Sequence, residues 1–84
     1  MASSERIKNL TQFVADWIAT RDRAAARRDH YLELKSTGVA ITNAAEEDIL
    51  QKMIDEADSE VRNVDAICIR MEALLARAQA GEDV

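Results

Sequence analysis

Residues 50–78 read LQKMIDEADSEVRNVDAICIRMEALLARA, and this stretch decides the fold. Taken three and four apart, Leu50, Met53, Ala57, Glu60, Val64, Ile67, Met71, Leu74 and Ala78 form a row with one polar member. That spacing is the repeat of a single helical face. A parallel row of Ile54, Val61, Cys68 and Leu75 lies beside it. Three apolar positions per heptad make a stripe wider than the two-position seam of a simple helix pair.

The same pattern appears upstream. Ile7, Leu10, Val14, Trp17, Arg21, Ala24, Arg28 and Tyr31 share one face, with Ile18, Ala25 and Leu32 alongside. The chain is therefore expected to be all-α, an antiparallel hairpin of two long helices in a single domain. Ser3 or Ser4 is placed to cap a first helix over about 4–35, with Glu5 at its positive end. Ser36-Thr37-Gly38 supplies a stop, and a loop is expected over 36–42, with Val39 and Ile41 plugging the end of the bundle. Asn43 followed by Glu46 has capping-box spacing, which predicts a second helix over about 43–79 and a short tail at 80–84. A hairpin covers only part of two wide stripes, so the reading extends to a dimer forming a four-helix bundle.

Composition agrees and excludes several function classes. There is no proline among the 84 residues, and the glycines are Gly38 and Gly81. One cysteine, Cys68, and one histidine, His30, allow neither an internal disulfide nor a four-ligand zinc site. A chain this short builds a marginal core and needs a supplement, which leaves oligomerisation. No apolar run reaches the roughly 20 residues that cross a bilayer, and no signal peptide is evident, so a cytoplasmic location with Cys68 reduced is expected. Residues 1–35 carry seven Lys/Arg against five Asp/Glu, whereas residues 36–84 carry four against eleven. The acidic balance disfavours nucleic acid and anionic membrane as partners.

The residues that break the pattern are the candidates for function. Arg21 and Arg28 interrupt the first stripe and Glu60 the second. In a hairpin closed around 36–42, residues whose numbers total about 78–80 face each other, which sets Arg21 near Glu60. Arg28 would then reach Glu46 or Glu47. A register-fixing ion pair is the plainer reading; a slot for an anionic ligand or an acidic partner is the alternative. The arginines of residues 21–28 could also serve nucleic acid across a dimer, but Asp22 and Asp29 are interleaved, and Arg23, Arg27 and His30 fall on the face opposite Arg21 and Arg28.

Phe13, Trp17 and Tyr31 lie along one edge of the first stripe and suit either a core or a partner groove. Ile69 lies outside the second stripe, and Leu34 lies opposite the first. Asp55-x-x-Asp58 points partly away from the stripe, no acid stands three residues before His30, and Cys68 sits in an apolar row with nothing to activate it. No catalytic residue, cofactor site or metal site is expected. The sequence reads as a non-enzymatic interaction protein, a small chaperone, adaptor or inhibitor. It would pair with itself and dock on another protein through Phe13, Trp17, Arg21, Arg28, Tyr31, Glu60 and Ile69.

Overall fold

The computed structural model describes residues 3–84. Helix α1 spans Ser4–Ser36 and helix α2 spans Leu50–Gln79, packed antiparallel. The Ser3 hydroxyl accepts from the Arg6 amide at 3.1 Å and so caps α1. Both helices end in the same way. Gly38 (φ 79°) follows α1, with the Val39 amide donating to Leu34 O and the Gly38 amide to Lys35 O. Gly81 (φ 91°) follows α2, with the Glu82 amide donating to Arg77 O and the Gly81 amide to Ala78 O. Each pair of bonds satisfies carbonyls that a helix end leaves orphaned, through a left-handed residue that glycine adopts without strain.

The second helix begins at Leu50, seven residues later than the capping-box spacing suggests. Asn43 caps no helix. Its Oδ1 accepts from the Ala45 and Glu47 amides at 2.9 and 3.1 Å, closing a local turn. Around it the Asn43 amide donates to Glu47 O and the Ile49 amide to Ile41 O, and Thr42 bridges Asp48 antiparallel. Glu46, expected in a first helical turn, is left-handed with φ 62°. The Asp48 carboxylate accepts from the Leu50 amide at 3.0 Å and covers the true helix start. Ile41 is half-buried under this loop, but Val39 is 45% exposed and does not close the end of the hairpin.

The displaced start moves the register by one heptad. Cross-helix partners are 21 with 65, 28 with 58, 27 with 60 and 35 with 51, so facing residue numbers total 86 or 87. A seven-residue slide leaves every helical face where the sequence pattern put it while exchanging every partner.

The core is the seam between the helices. Leu10, Val14 and Ala24 of α1 are buried against Leu50, Ile54, Ala57, Val64, Cys68 and Ala78 of α2. Ile67, Met71 and Leu74, expected in the core, are half-buried. The seam combines part of each row, and Met53, Glu60, Ile67 and Leu74 fall on its flank. No charged or polar residue is buried among the described residues. The molecule is a rod of 58 × 20 × 16 Å with a radius of gyration of 18.2 Å, against about 12 Å for a globular chain of this length. Its accessible surface, 5811 Å², exceeds the roughly 5,000 Å² of a globular monomer of this mass.

Candidate functional site

The heptad arrangement gives the hairpin two long edges, one on each side of the seam, and they differ in chemistry. Along the first, α2 presents Gln51, Asp58, Asp65 and Glu72, seven residues apart, and α1 reaches toward them from within its own stripe. Arg21 Nη1 lies 3.2 Å from Asp65 Oδ1 and Arg28 Nη1 lies 3.3 Å from Asp58 Oδ1. Lys35 Nζ donates to Gln51 Oε1. Asp22 and Asp29 complete the ladder, each beside the arginine that precedes it.

Hydrogen bonding to Asp65, joined by the nearby charge of Asp22, raises the Arg21 pKa above its ordinary value. Asp29 foremost, and then Asp58, do the same for Arg28. Both guanidinium groups stay charged, with their stems along the seam and their heads at the surface. The expected partners are thereby corrected: Arg21 meets Asp65 rather than Glu60, and Arg28 meets Asp58 rather than Glu46 or Glu47.

Along the opposite edge α1 places Phe13, Thr20, Arg27 and Leu34, and α2 places Met53, Glu60, Ile67 and Leu74. The register sets Phe13 level with Leu74, Thr20 with Ile67, Arg27 with Glu60 and Leu34 with Met53. Among the described residues one ion pair crosses this edge, Arg27 Nη1 to Glu60 Oε2 at 3.0 Å. Phe13 is 47% exposed, while Thr20, Leu34 and the four α2 residues are half-buried.

Beside the ion pair is an open pocket of about 240 Å³ lined by Arg27, Tyr31, Met53, Glu56, Ala57 and Glu60. The small side chain of Ala57, buried in the seam, leaves this space.

Of the residues singled out in the sequence, the apolar edge gathers Phe13, Tyr31 and Glu60. Trp17 is half-buried in the row of Leu10 and Ala24. Arg21 and Arg28 belong to the other edge. Ile69 is 62% exposed on the outer side of α2, and Leu34 is on the apolar edge, so the two outliers form no common patch. Sequence reasoning missed Arg27, Leu34, Met53 and Glu56 as edge residues. The seven-residue spacing of 13, 20, 27, 34 and of 53, 60, 67, 74 carried that signal.

Among the described residues no group of three or more His, Cys, Asp or Glu is arranged to hold a metal, and no helix is long and apolar enough to cross a membrane. Cys68 is free and buried. In comparison with known proteins, no family model, no curated protein and no solved structure matches the chain.

Proposed function

We propose that this chain is a non-enzymatic protein–protein interaction module that pairs with a second copy along its apolar edge to form a four-helix bundle. The observation that carries the reading is the unsealed edge. A seam already closed by nine buried side chains leaves Phe13, Leu34, Met53, Ile67 and Leu74 partly in water along one side of the rod. Covering them removes further apolar area from water at about 25 cal/mol per Å². Another protein, as client or target, would then meet the outer faces of the bundle, where Ile69 and Leu32 stand exposed.

The rival readings find less support. The arginines at 21 and 28 already have carboxylate partners, which lowers their value to a nucleic acid backbone. The pocket sets one arginine against two glutamates, an unfavourable lining for a small anion. Sedimentation equilibrium tests the reading: a mass twice the 9.4 kDa of the chain is expected at roughly ten micromolar, a concentration at which a μM or tighter dimer is largely assembled. A folded monomer at that concentration would sink it.

A further inference from the structure

We infer that the two copies pair antiparallel, with their loops at opposite ends and Phe13 of each seated in the pocket of the other beside Arg27 and Glu60. The inference rests on the pairing proposed above and adds its geometry. Three independent features of the apolar edge place the two-fold axis at one level.

The first is a knob and a hole. Phe13 projects from the edge, and the pocket lies between Arg27 and Tyr31, about 24 Å further along α1 at 1.5 Å per residue. A two-fold axis at Arg21, halfway between them, carries each Phe13 onto the partner's pocket. Cavities of about 150 Å³ accept a benzene-sized ring, so 240 Å³ leaves room for a phenyl group. Its lining suits an aromatic side chain. The carboxylates of Glu56 and Glu60 favour the positive ring edge, the Arg27 guanidinium favours the negative face, and Met53 and Ala57 supply apolar contact.

The second feature is charge. An antiparallel two-fold sets α1 against α1 and α2 against α2. Along α1 the same axis brings Asp16 within one residue, about 1.5 Å, of the level of the partner's Arg27. Along α2 the axis falls at Ala66 and brings Glu56 within one residue, about 1.5 Å, of the level of the partner's Arg77. Arg77 is exposed, with Glu82 3.4 Å away on its own chain, and Glu56 is exposed beside Lys52. The opposite arrangement, with both loops at one end, makes neither match.

The third feature is overlap. The midpoint of α1, Ser4–Ser36, is residue 20, so an axis at Arg21 superposes the helices over nearly their whole length. A face about 50 Å long at helical rise and 20 Å wide matches the roughly 800 Å² per partner of a stable interface.

The test pairs mass with distance. A Cys68→Ala, Ala44→Cys chain carries one spin label in the exposed loop, and sedimentation establishes whether it is a dimer before the label separation is measured. Opposite loops give about 45 Å or more at 1.5 Å per residue, whereas loops at one end give about 25 Å or less for neighbouring helix pairs. A dimer with the short distance overturns the antiparallel geometry and leaves the pairing standing; a monomer overturns both.

Two variants test the contacts. Phe13→Ala, at an exposed site, is expected to keep its helicity and to weaken association roughly 100- to 1,000-fold through loss of two aromatic anchors; an unchanged Kd overturns the knob-and-pocket contact. Glu56→Arg is expected to weaken association roughly tenfold, and adding Arg77→Glu to restore it, because the swap rebuilds both charge matches. Failure of the second change to restore the affinity lost in the first overturns the antiparallel match.

Discussion

The two edges of the hairpin flank the same seam and share the same heptad, yet one ends in charge and the other in hydrocarbon. On the first, Asp58 and Asp65 draw Arg28 and Arg21 outward from positions that the helical repeat assigns to the core. On the second, a single pair, Arg27 to Glu60, interrupts Phe13, Leu34, Met53, Ile67 and Leu74. The polar edge is satisfied within one chain, while the apolar edge gains by being covered. A hairpin whose edges were both ion-paired would have reason to remain a monomer.

The largest effect that tests this contrast is in the seam itself. Val64→Asp should unfold the chain, because a carboxylate at a site only 8% exposed has no partner there, and such burial costs several kcal/mol. Against a total stability of about 5 kcal/mol for a small domain, little helical signal should survive in circular dichroism. A Val64→Asp protein that melts near the parent temperature would show that the seam lies elsewhere.

One heptad position away, Ile67→Asp should behave differently. Ile67 is half-buried on the apolar edge, so its carboxylate can reach water in a monomer but not in a bundle. Helicity should persist at low concentration, with a loss of about 1–2 kcal/mol, while the sedimenting species drops from dimer to monomer. Unfolding of Ile67→Asp as complete as that of Val64→Asp would erase the distinction between seam and edge.

That distinction was only half legible in the sequence. The hydrophobic period placed Leu50, Ala57, Val64 and Ala78 on one face and Ile54 and Cys68 beside it, and these are the buried residues of α2. The period also placed Met53, Glu60, Ile67 and Leu74 on the same wide stripe, without saying which side of the stripe was the seam. A stripe three positions wide admits two seams, and only the partner helix chooses between them.

The register was illegible for a related reason. A heptad pattern is unchanged by a slide of seven residues, and Asn43 with Glu46 matches a capping box while in fact closing a turn. The start at Leu50 brings Arg21, Arg27 and Arg28 each to a carboxylate across the seam. A start at Asn43 set Arg28 opposite Leu50, with the nearest carboxylates, Glu46 and Glu47, a turn away.

The ion-paired edge should respond weakly. Arg21 and Asp65 keep 32% and 46% of their side-chain surface in water, and exposed pairs contribute about 0–1 kcal/mol. Asp65→Leu should therefore lower stability by no more than about 1 kcal/mol, with Arg21→Leu and Asp65→Leu together near neutral. The same changes should leave the dimer mass unaltered. A loss of association in the double variant, with the fold intact, would move the self-pairing surface to this edge and reverse the comparison.

The smallest expected effect tests what sets the register, and it turns on a sign. Glu46 holds φ 62°, a left-handed conformation that costs a residue with a side chain roughly 1–2 kcal/mol. Glycine adopts that conformation without strain, at the expense of greater freedom in the unfolded chain. Glu46→Gly should therefore stabilise the hairpin, by about 0.5–1 kcal/mol after the two contributions are set against each other. A helix beginning at Asn43 demands the opposite, because glycine in its first turns would cost up to about 1 kcal/mol and remove a carboxylate from the positive helix end. Melting temperature alone decides the direction. A rise supports the turn around Asn43 and the pairing of 21 with 65 and 28 with 58 that it imposes. A fall would place Glu46 in the helix, slide α2 back by one heptad and return Arg21 to Glu60.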